Sequence, residues 1–195
     1  RDEALNVAKV LTEALPYIQK FREKCFLIKL GGSAMENPDL LDALLRDVVL
    51  LEAVGINPII VHGGGKAISE AMESSGIEPK FISGQRFTDQ ESIQIVEDTL
   101  GKKVNSNLVR LVESHGGKAM GISGTAVFLS DRMLGMTEEG QEVDLGYVGS
   151  VKECSVEGLQ ELIVKETIPV VSPLSKEECS GNTLNTNADL AASAL

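Results

Sequence analysis

The first twenty residues carry Val7, Val10, Leu11, Ala14 and Ile18 at spacings of three and four, one apolar stripe on an otherwise polar segment. That period predicts an amphipathic helix over 1–20. Pro16 lies inside it and should kink or end the helix near Leu15. Such a stripe either covers the chain's own core or docks on another subunit. From residue 21 onward the pattern changes to short unbroken apolar runs alternating with helical spacing. Residues 26–30 read as a buried strand ending in Gly31-Gly32, and Asn37-Pro38 opens a helix with a side-chain cap and proline at its first position. The strand 59–61 runs into His62-Gly63-Gly64-Gly65 and a helix from about 66 to 75, stopped by Gly76. Residues 79–87 read as a hairpin turning at Ser83-Gly84. Thr88 with Glu91 forms a capping box for a long helical stretch to Ser114, interrupted near Gly101.

The remainder continues in the same style. A strand over 119–122 precedes Gly-rich antiparallel excursions over 124–153. Ser155 caps a helix to about 166, 168–172 is a strand, and Asn187-Ala188-Asp189 opens a last helix. Alternation of strand and helix implies an α/β fold, a three-layer sandwich whose central sheet is mainly parallel, with β-hairpin excursions. Ligands bind such sheets beyond the carboxyl ends of the strands, so the turns after Leu30 and Val61 are the places to search. The last helix stops at Leu195 with its apolar face barely begun, from which truncation is expected.

Charge narrows the class of partner. The 18 basic and 29 acidic residues leave a net charge of −11, which repels phosphate backbones and anionic lipid and argues against nucleic-acid and membrane partners. No apolar run is long enough to span a bilayer, and no signal peptide is visible. Because the chain opens with Arg1 rather than Met, import into an organelle stays open beside a cytoplasmic location. Cys25, Cys154 and Cys179 are odd in number and lack a paired spacing, so they read as reduced thiols rather than disulfide or zinc ligands.

Against that acidic background individual cations stand out. Lys29 sits in a strand read as apolar on both faces, a costly place for an ammonium unless it reaches a cleft or an anion. His62-Gly63-Gly64-Gly65 fails two common phosphate motifs. Ala67 replaces the Ser or Thr that must follow Gly-Lys in one, and Ile68 replaces the third glycine of the other. Three consecutive glycines between a strand and a helix still let backbone N–H groups and the helix's positive end approach an anion. A tight turn requiring positive φ needs only one. Arg86 beside a hairpin is by itself an ordinary solvated charge, and Asn185-Thr186-Asn187-Ala188-Asp189 is by itself helix capping. His62 beside a buried strand reads as a hydrogen-bonded core histidine, His115 as a helix-end residue favoured by the dipole. These pieces form no metal constellation.

Taken together, Ile28-Lys29-Leu30-Gly31-Gly32, Ile60-Val61-His62-Gly63-Gly64-Gly65, Gly84-Gln85-Arg86-Phe87-Thr88 and Asn185-Thr186-Asn187-Ala188-Asp189 resemble acetylglutamate kinases, of the amino-acid kinase family, in order and spacing. Leu145-Gly146-Tyr147-Val148-Gly149 and Ile168-Pro169-Val170-Val171 extend the likeness over nearly the whole chain. The resemblance implies transfer of the γ-phosphoryl group of ATP, with Mg as its companion ion, to the side-chain carboxylate of N-acetyl-L-glutamate in arginine biosynthesis. It implies Lys29 and Asp189 as catalytic residues and Gly31, Gly32 and Gly63 as phosphate-binding. Gly64, Gly65, Arg86 and Asn185 would hold the acylated amino acid, in a domain spanning 21–195. Residues 1–20 would interlace dimers into a hexamer, with arginine as feedback inhibitor. The nucleotide-binding half would lie beyond 195, so this piece alone is expected to turn over poorly. Gly124-Thr125-Ala126 and Phe87 depart from the family pattern. Glutamate 5-kinase, aspartokinase, carbamate kinase, uridylate kinase and a non-catalytic amino-acid sensor are the competing readings.

Overall fold

The computed structural model describes residues 2–137 and 139–195. Helix α1 (Asp2–Phe21) is continuous, and Pro16 neither ends nor breaks it. Proline deprives the carbonyl four residues earlier of its partner, but α1 is exposed along most of its length, so water can satisfy that group. The helix does not cover the core either. Leu5, Val7, Val10, Leu11, Leu15 and Tyr17 all face solvent, and contact with the body begins near Phe21, whose ring lies 5.4 Å from that of Phe26.

Strand β1 (Cys25–Leu30) leads through the short α2 (Ser33–Glu36) into α3 (Pro38–Ala53). Asn37 caps α3 by accepting the Asp39 and Leu40 N–H groups, and Pro38 occupies a position that needs no donor. β2 (Asn57–His62) and α4 (Gly65–Ser74) follow, then a hairpin of β3 (Phe81–Ile82) and β4 (Gln85–Arg86). Ser83 and Gly84 turn that hairpin with φ of 47° and 78°, the left-handed pair that matches strand twist. α5 (Gln90–Glu97) is capped by Asp89, not by Thr88 as the sequence pattern indicated. The Thr88 hydroxyl instead turns inward and donates to the Arg86 carbonyl. A π-helical segment, Asp98–Val104, carries the chain into α6 (Asn105–Ser114) and is the interruption expected near Gly101.

After β5 (Ala119–Ile122) come the hairpin strands β6 (Phe128–Met136) and β7 (Glu142–Cys154), α7 (Glu157–Val164) and β8 (Ile168–Val171). Val156, not Ser155, holds the cap position of α7, and the Ser155 hydroxyl donates to the Glu157 carboxylate. β9 (Leu174–Glu177) and β10 (Thr183–Thr186) have no counterpart in the sequence expectation, and α8 (Ala188–Ala194) opens on Asn187 as expected.

The central sheet runs β1-β2-β8-β5 with every pair parallel. Alternate residues point to opposite faces, and the register places Ile28 beside Ile60 and Ile60 beside Val170. These bury against Leu41, Leu45 and Val48 of α3 and Leu108 and Val112 of α6. On the other face Ile59, Val61 and Val171 pack with Phe128, Leu159 of α7 and Ala191 of α8. Helices on both faces of a parallel sheet make the three-layer α/β sandwich. β6, β7, β9 and β10 close into a small barrel beside it, and α4, α5 and the π segment bury Ile68, Met72, Val96 and Leu100 against Leu174. Among the described residues no helix is long and apolar enough to cross a membrane.

Candidate active site

β1 forms one edge of the sheet, with Cys25, Leu27 and Lys29 on an exposed side, so the strand is not apolar and buried on both faces as the sequence reading had it. The Lys29 side chain keeps 32% exposure, and burial is not what marks it. Its partner does. Lys29 pairs in register with Val61, on the face covered by α8, and its Nζ lies 2.9 Å from Oδ1 of Asp189 in the first turn of α8. An ion pair this exposed adds little to stability. What it fixes is where the ammonium stands. A Cβ on the next residue but one, Gly31, would come 2.6 Å from the Lys29 Nζ, so a side chain there would displace the ammonium.

Arg86 is the opposite kind of cation. It is 7% exposed, and no carboxylate pairs with it among the described residues. One terminal nitrogen donates to the Gly65 carbonyl at 2.8 Å and to Ser69 Oγ at 2.9 Å, and the other approaches Met72 Sδ at 3.4 Å. Phe81 lies across the hairpin from it, with the guanidinium carbon 4.7 Å from the ring centroid. Burial lowers the Arg86 pKa from its ordinary value, yet a guanidinium stays charged at neutral pH. A buried cation with neutral partners only is electrostatically incomplete, and an anionic ligand completes it.

The glycine turn owes nothing to left-handed backbone. Gly63, Gly64 and Gly65 are absent from the positive-φ residues, and the φ of 167° at Gly64 is extended. Close approach is the requirement: a Cβ on Gly64 would lie 2.6 Å from Leu100 Cδ2 of the π segment. Gly64 is the cap of α4 and supplies no side-chain hydrogen bond, which leaves the first N–H groups of that helix open. Behind the turn His62 is fully buried. Its Nδ1 lies 2.8 Å from the Gly63 carbonyl, and its Nε2 lies 3.1 Å from Asn105 Nδ2. Desolvation pulls its pKa down to about 4, so the imidazole is neutral.

Lys29, Gly31, Gly32, Gly63, Gly64, Gly65, Arg86, Asn185 and Asp189 all line one cleft of about 240 Å³ at the carboxyl ends of β1 and β2. Every residue to which the resemblance gives a site role stands on its wall. A larger hollow of about 620 Å³ shares Gly32, Gly64 and Gly65 but reaches none of Lys29, Arg86, Asn185 or Asp189, so the smaller cleft is where the chemistry gathers.

The family model described as the amino acid kinase family matches residues 24–195. The chain belongs to this family. It is 50% identical over 191 residues to the acetylglutamate kinase of Akkermansia muciniphila, a match covering 98% of this chain and 64% of that protein. The acetylglutamate kinase of Methanospirillum hungatei is 46% identical, over 95% of this chain and 65% of its own. The chain thus spans about two thirds of the length of these curated relatives. Among solved structures, smu.665 of Streptococcus mutans UA159 superposes with a TM-score of 0.75 at 27% identity, over 88% of this chain and 66% of the other. The N-acetylglutamate synthase of Neisseria gonorrhoeae superposes at 0.74 and 24% identity over 93% of this chain and 41% of its own, a likeness of fold alone.

Three contributors to this amino acid kinase cleft were given no site role by the sequence. Phe81 follows from the hairpin register, because a two-residue turn at Ser83-Gly84 makes it the cross-strand partner of Arg86. Thr88 accepts from the Asn185 amide at 3.2 Å and ties β10 to the hairpin. Asn105 reaches His62 only because the π segment shifts the helical register before it, and no local pattern announces that shift.

Proposed function

We propose that this chain forms the acceptor-binding part of an enzyme that moves the γ-phosphoryl group of ATP to the side-chain carboxylate of N-acetyl-L-glutamate, a step of arginine biosynthesis. The observation that carries the reading is the pairing of two unlike cations across one small cleft. Arg86 is buried and unpaired, and Lys29 is exposed and held by Asp189. The cleft volume of about 240 Å³ is below that of sites for drug-sized ligands, in keeping with a small acid. The acetylglutamate kinases among the relatives supply the specific substrate.

The chemistry asks little of acid–base groups. A carboxylate acceptor is already ionised at neutral pH, so no residue has to remove a proton. The barrier lies in bringing one anion against another and in holding the transferring group in line. Arg86 is assigned the α-carboxylate of the acceptor, through charge-assisted hydrogen bonds, and Asn185, Gly64 and Gly65 are assigned to the wall on which the acceptor rests. Lys29 is assigned the charge on the phosphoryl group in flight, aided by backbone N–H donors of Gly31, Gly32 and the Gly63–Gly65 turn, in which the Gly63 N–H itself is taken by the Leu30 carbonyl. Asp189 keeps the ammonium of Lys29 in place. Mg²⁺ is expected to accompany ATP on its phosphates, since no three carboxylate, imidazole or thiol groups converge to hold a metal among the described residues.

The same reading extends to partners. Residues 1–20 are assigned to oligomer formation, supported by an apolar stripe that the rest of the chain leaves open, with Leu11 at 63% and Tyr17 at 68% exposure. Residues 21–195 are assigned as the acceptor domain, arginine as feedback inhibitor and the cytoplasm as location, in keeping with three unpaired cysteines.

The test uses the complete gene product with ATP, Mg²⁺ and either N-acetyl-L-glutamate, L-glutamate or L-aspartate, trapping acyl phosphate with hydroxylamine. Hydroxamate is expected from the acetylated acid alone. Arg86→Lys keeps the charge but loses the planar fork, and calorimetry is expected to show acetylglutamate binding weakened by about 10-fold to 100-fold. Equal turnover of free glutamate, or unaltered binding by Arg86→Lys, refutes the assignment.

A further inference from the structure

We infer that His62 is a positioning residue: its buried Nδ1–H latches the Gly63 carbonyl inward and thereby aims the Gly64 N–H into the cleft as a donor to the transferring phosphoryl group. This rests on the function proposed above and adds to it a role for a side chain that touches no substrate.

The latch follows from three contacts. Asn105 Nδ2 has two hydrogens, and two acceptors surround it: the Val170 carbonyl at 2.8 Å and His62 Nε2 at 3.1 Å. A donated hydrogen at Nε2 leaves that nitrogen without its own proton, so the proton of the neutral ring sits on Nδ1. Nδ1 in turn lies 2.8 Å from the Gly63 carbonyl and donates to it. The C=O and N–H of a trans peptide point in opposite directions, and no cis peptide is present. Holding the Gly63 carbonyl against the buried ring therefore turns the Gly64 N–H to the other side, where Gly64 lines the cleft. Among the described residues that N–H meets no acceptor, whereas its neighbour at Gly63 donates to the Leu30 carbonyl.

The need for a latch is a consequence of glycine itself. Flanked by Gly63 and Gly65, the Gly63–Gly64 peptide has no side chains to bias its plane, and glycine samples both signs of φ with little penalty. Without a partner for the carbonyl, the plane can flip and present an oxygen to an anion where a hydrogen is wanted. Gly121 helps to hold the far end. A Cβ there would come 2.0 Å from Asn105 Oδ1, so the bare glycine lets the Asn105 amide pack directly on β5, where the Val170 carbonyl holds it.

Two measurements test the latch. In the 195-residue chain, nitrogen NMR of His62 at neutral pH is expected to show a protonated Nδ1 and a bare Nε2. The reverse tautomer overturns the inference, whatever the substrate is. In the complete gene product, His62→Leu is expected to lower kcat by about 10-fold to 100-fold, the range below the loss of a whole oxyanion donor, with KM for acetylglutamate changed less than about threefold. His62→Asn, whose amide nitrogen falls where Nδ1 stands, is expected to recover most of that loss. If both variants lose kcat alike, or His62→Leu keeps it, the latch is wrong. If His62→Leu does not fold, the recovery by His62→Asn relative to the unaltered enzyme and the tautomer still decide. An unaltered enzyme that transfers nothing to acetylglutamate defeats the proposed function, while the tautomer continues to decide the latch.

Discussion

Acidification should destabilise this protein through one histidine, and the size of the effect can be worked from its surroundings. His62 is fully buried, its polar partners among the described residues are the Gly63 carbonyl and the Asn105 amide, and its pKa is lowered from 6.5 to about 4. The unfolded chain therefore binds the proton more tightly than the folded one, and protonation favours unfolding. The contribution is complete above about pH 6.5 and is lost as the pH falls toward about 4. A gap of roughly two and a half pH units corresponds to about 3 kcal/mol in full, of which about 2 kcal/mol is already gone at about pH 5. Carboxylates act elsewhere. Hydrogen bonding lowers the pKa values of Asp89, Glu157 and Glu177, so their contributions are present above the ordinary carboxylate range and are lost below it. The window between about pH 7 and pH 5 belongs chiefly to imidazole. Urea denaturation at both ends of that window, on the unaltered chain and on His62→Asn, isolates the term, because His115 is common to both proteins and cancels. The unaltered chain is expected to lose about 2 kcal/mol more than the variant, at unchanged m-value. Equal losses refute the reasoning, and would mean that the ring is solvated or already protonated in the folded state.

Three further outcomes are expected. Gly64→Ala pushes a methyl group against Leu100, which is fully buried and cannot swing aside, so a loss of about 1–3 kcal/mol in thermal stability is expected, and the double variant with Leu100→Ala should lose less than the sum of the two single losses; strictly additive losses would place the strain elsewhere. Phe81→Leu removes the ring over Arg86, an attraction of about 0.5–1 kcal/mol at an exposed site, and should raise the acetylglutamate KM about two- to fivefold at constant kcat. A fall in kcat instead would show that Phe81 serves the transfer step. Removal of residues 2–20 should reduce the assembly from a hexamer to dimers by light scattering, and an unchanged mass would return α1 to some other use.

Where the sequence was legible, the signal was physical. Apolar runs bounded by Gly, Asn and Pro marked the inner strands of the central sheet, because a parallel strand buried on both faces tolerates nothing else. Ile59, Ile60 and Val61 are the clearest case. β9 and β10 escaped because they are four residues each, partly polar, and, besides pairing with each other, close a small barrel with β6 and β7 from farther back along the chain. Thr88 drew the cap assignment that belongs to Asp89, since both residue types accept a helix N–H and only the tertiary bond to Asn185 separates them. Pro16 was misjudged because a proline's penalty depends on whether water reaches the orphaned carbonyl, a property of the whole fold.

The cleft shows the same division. Lys29 and the glycine run declared themselves by chemistry and Arg86 only through the motif it shares, whereas Phe81, Leu100 and Asn105 matter only through what they touch. The structure also reverses the sequence reading of two cations, which took Lys29 as the buried one and Arg86 by itself as a solvated charge. Arg86, buried and without a carboxylate partner, relieves an electrostatic deficit when it binds a carboxylate, and it has little freedom to leave. Lys29 already has Asp189 and keeps its contact with water, so an added static anion gains less from it. In the proposed reaction its contribution would come from charge that is present only during transfer, when a nearby ammonium on a flexible stem can follow the moving oxygens. Arg86 is thus suited to ground-state binding and Lys29 to the transition state. Substitution of Arg86 should therefore appear chiefly in KM, and substitution of Lys29 chiefly in kcat.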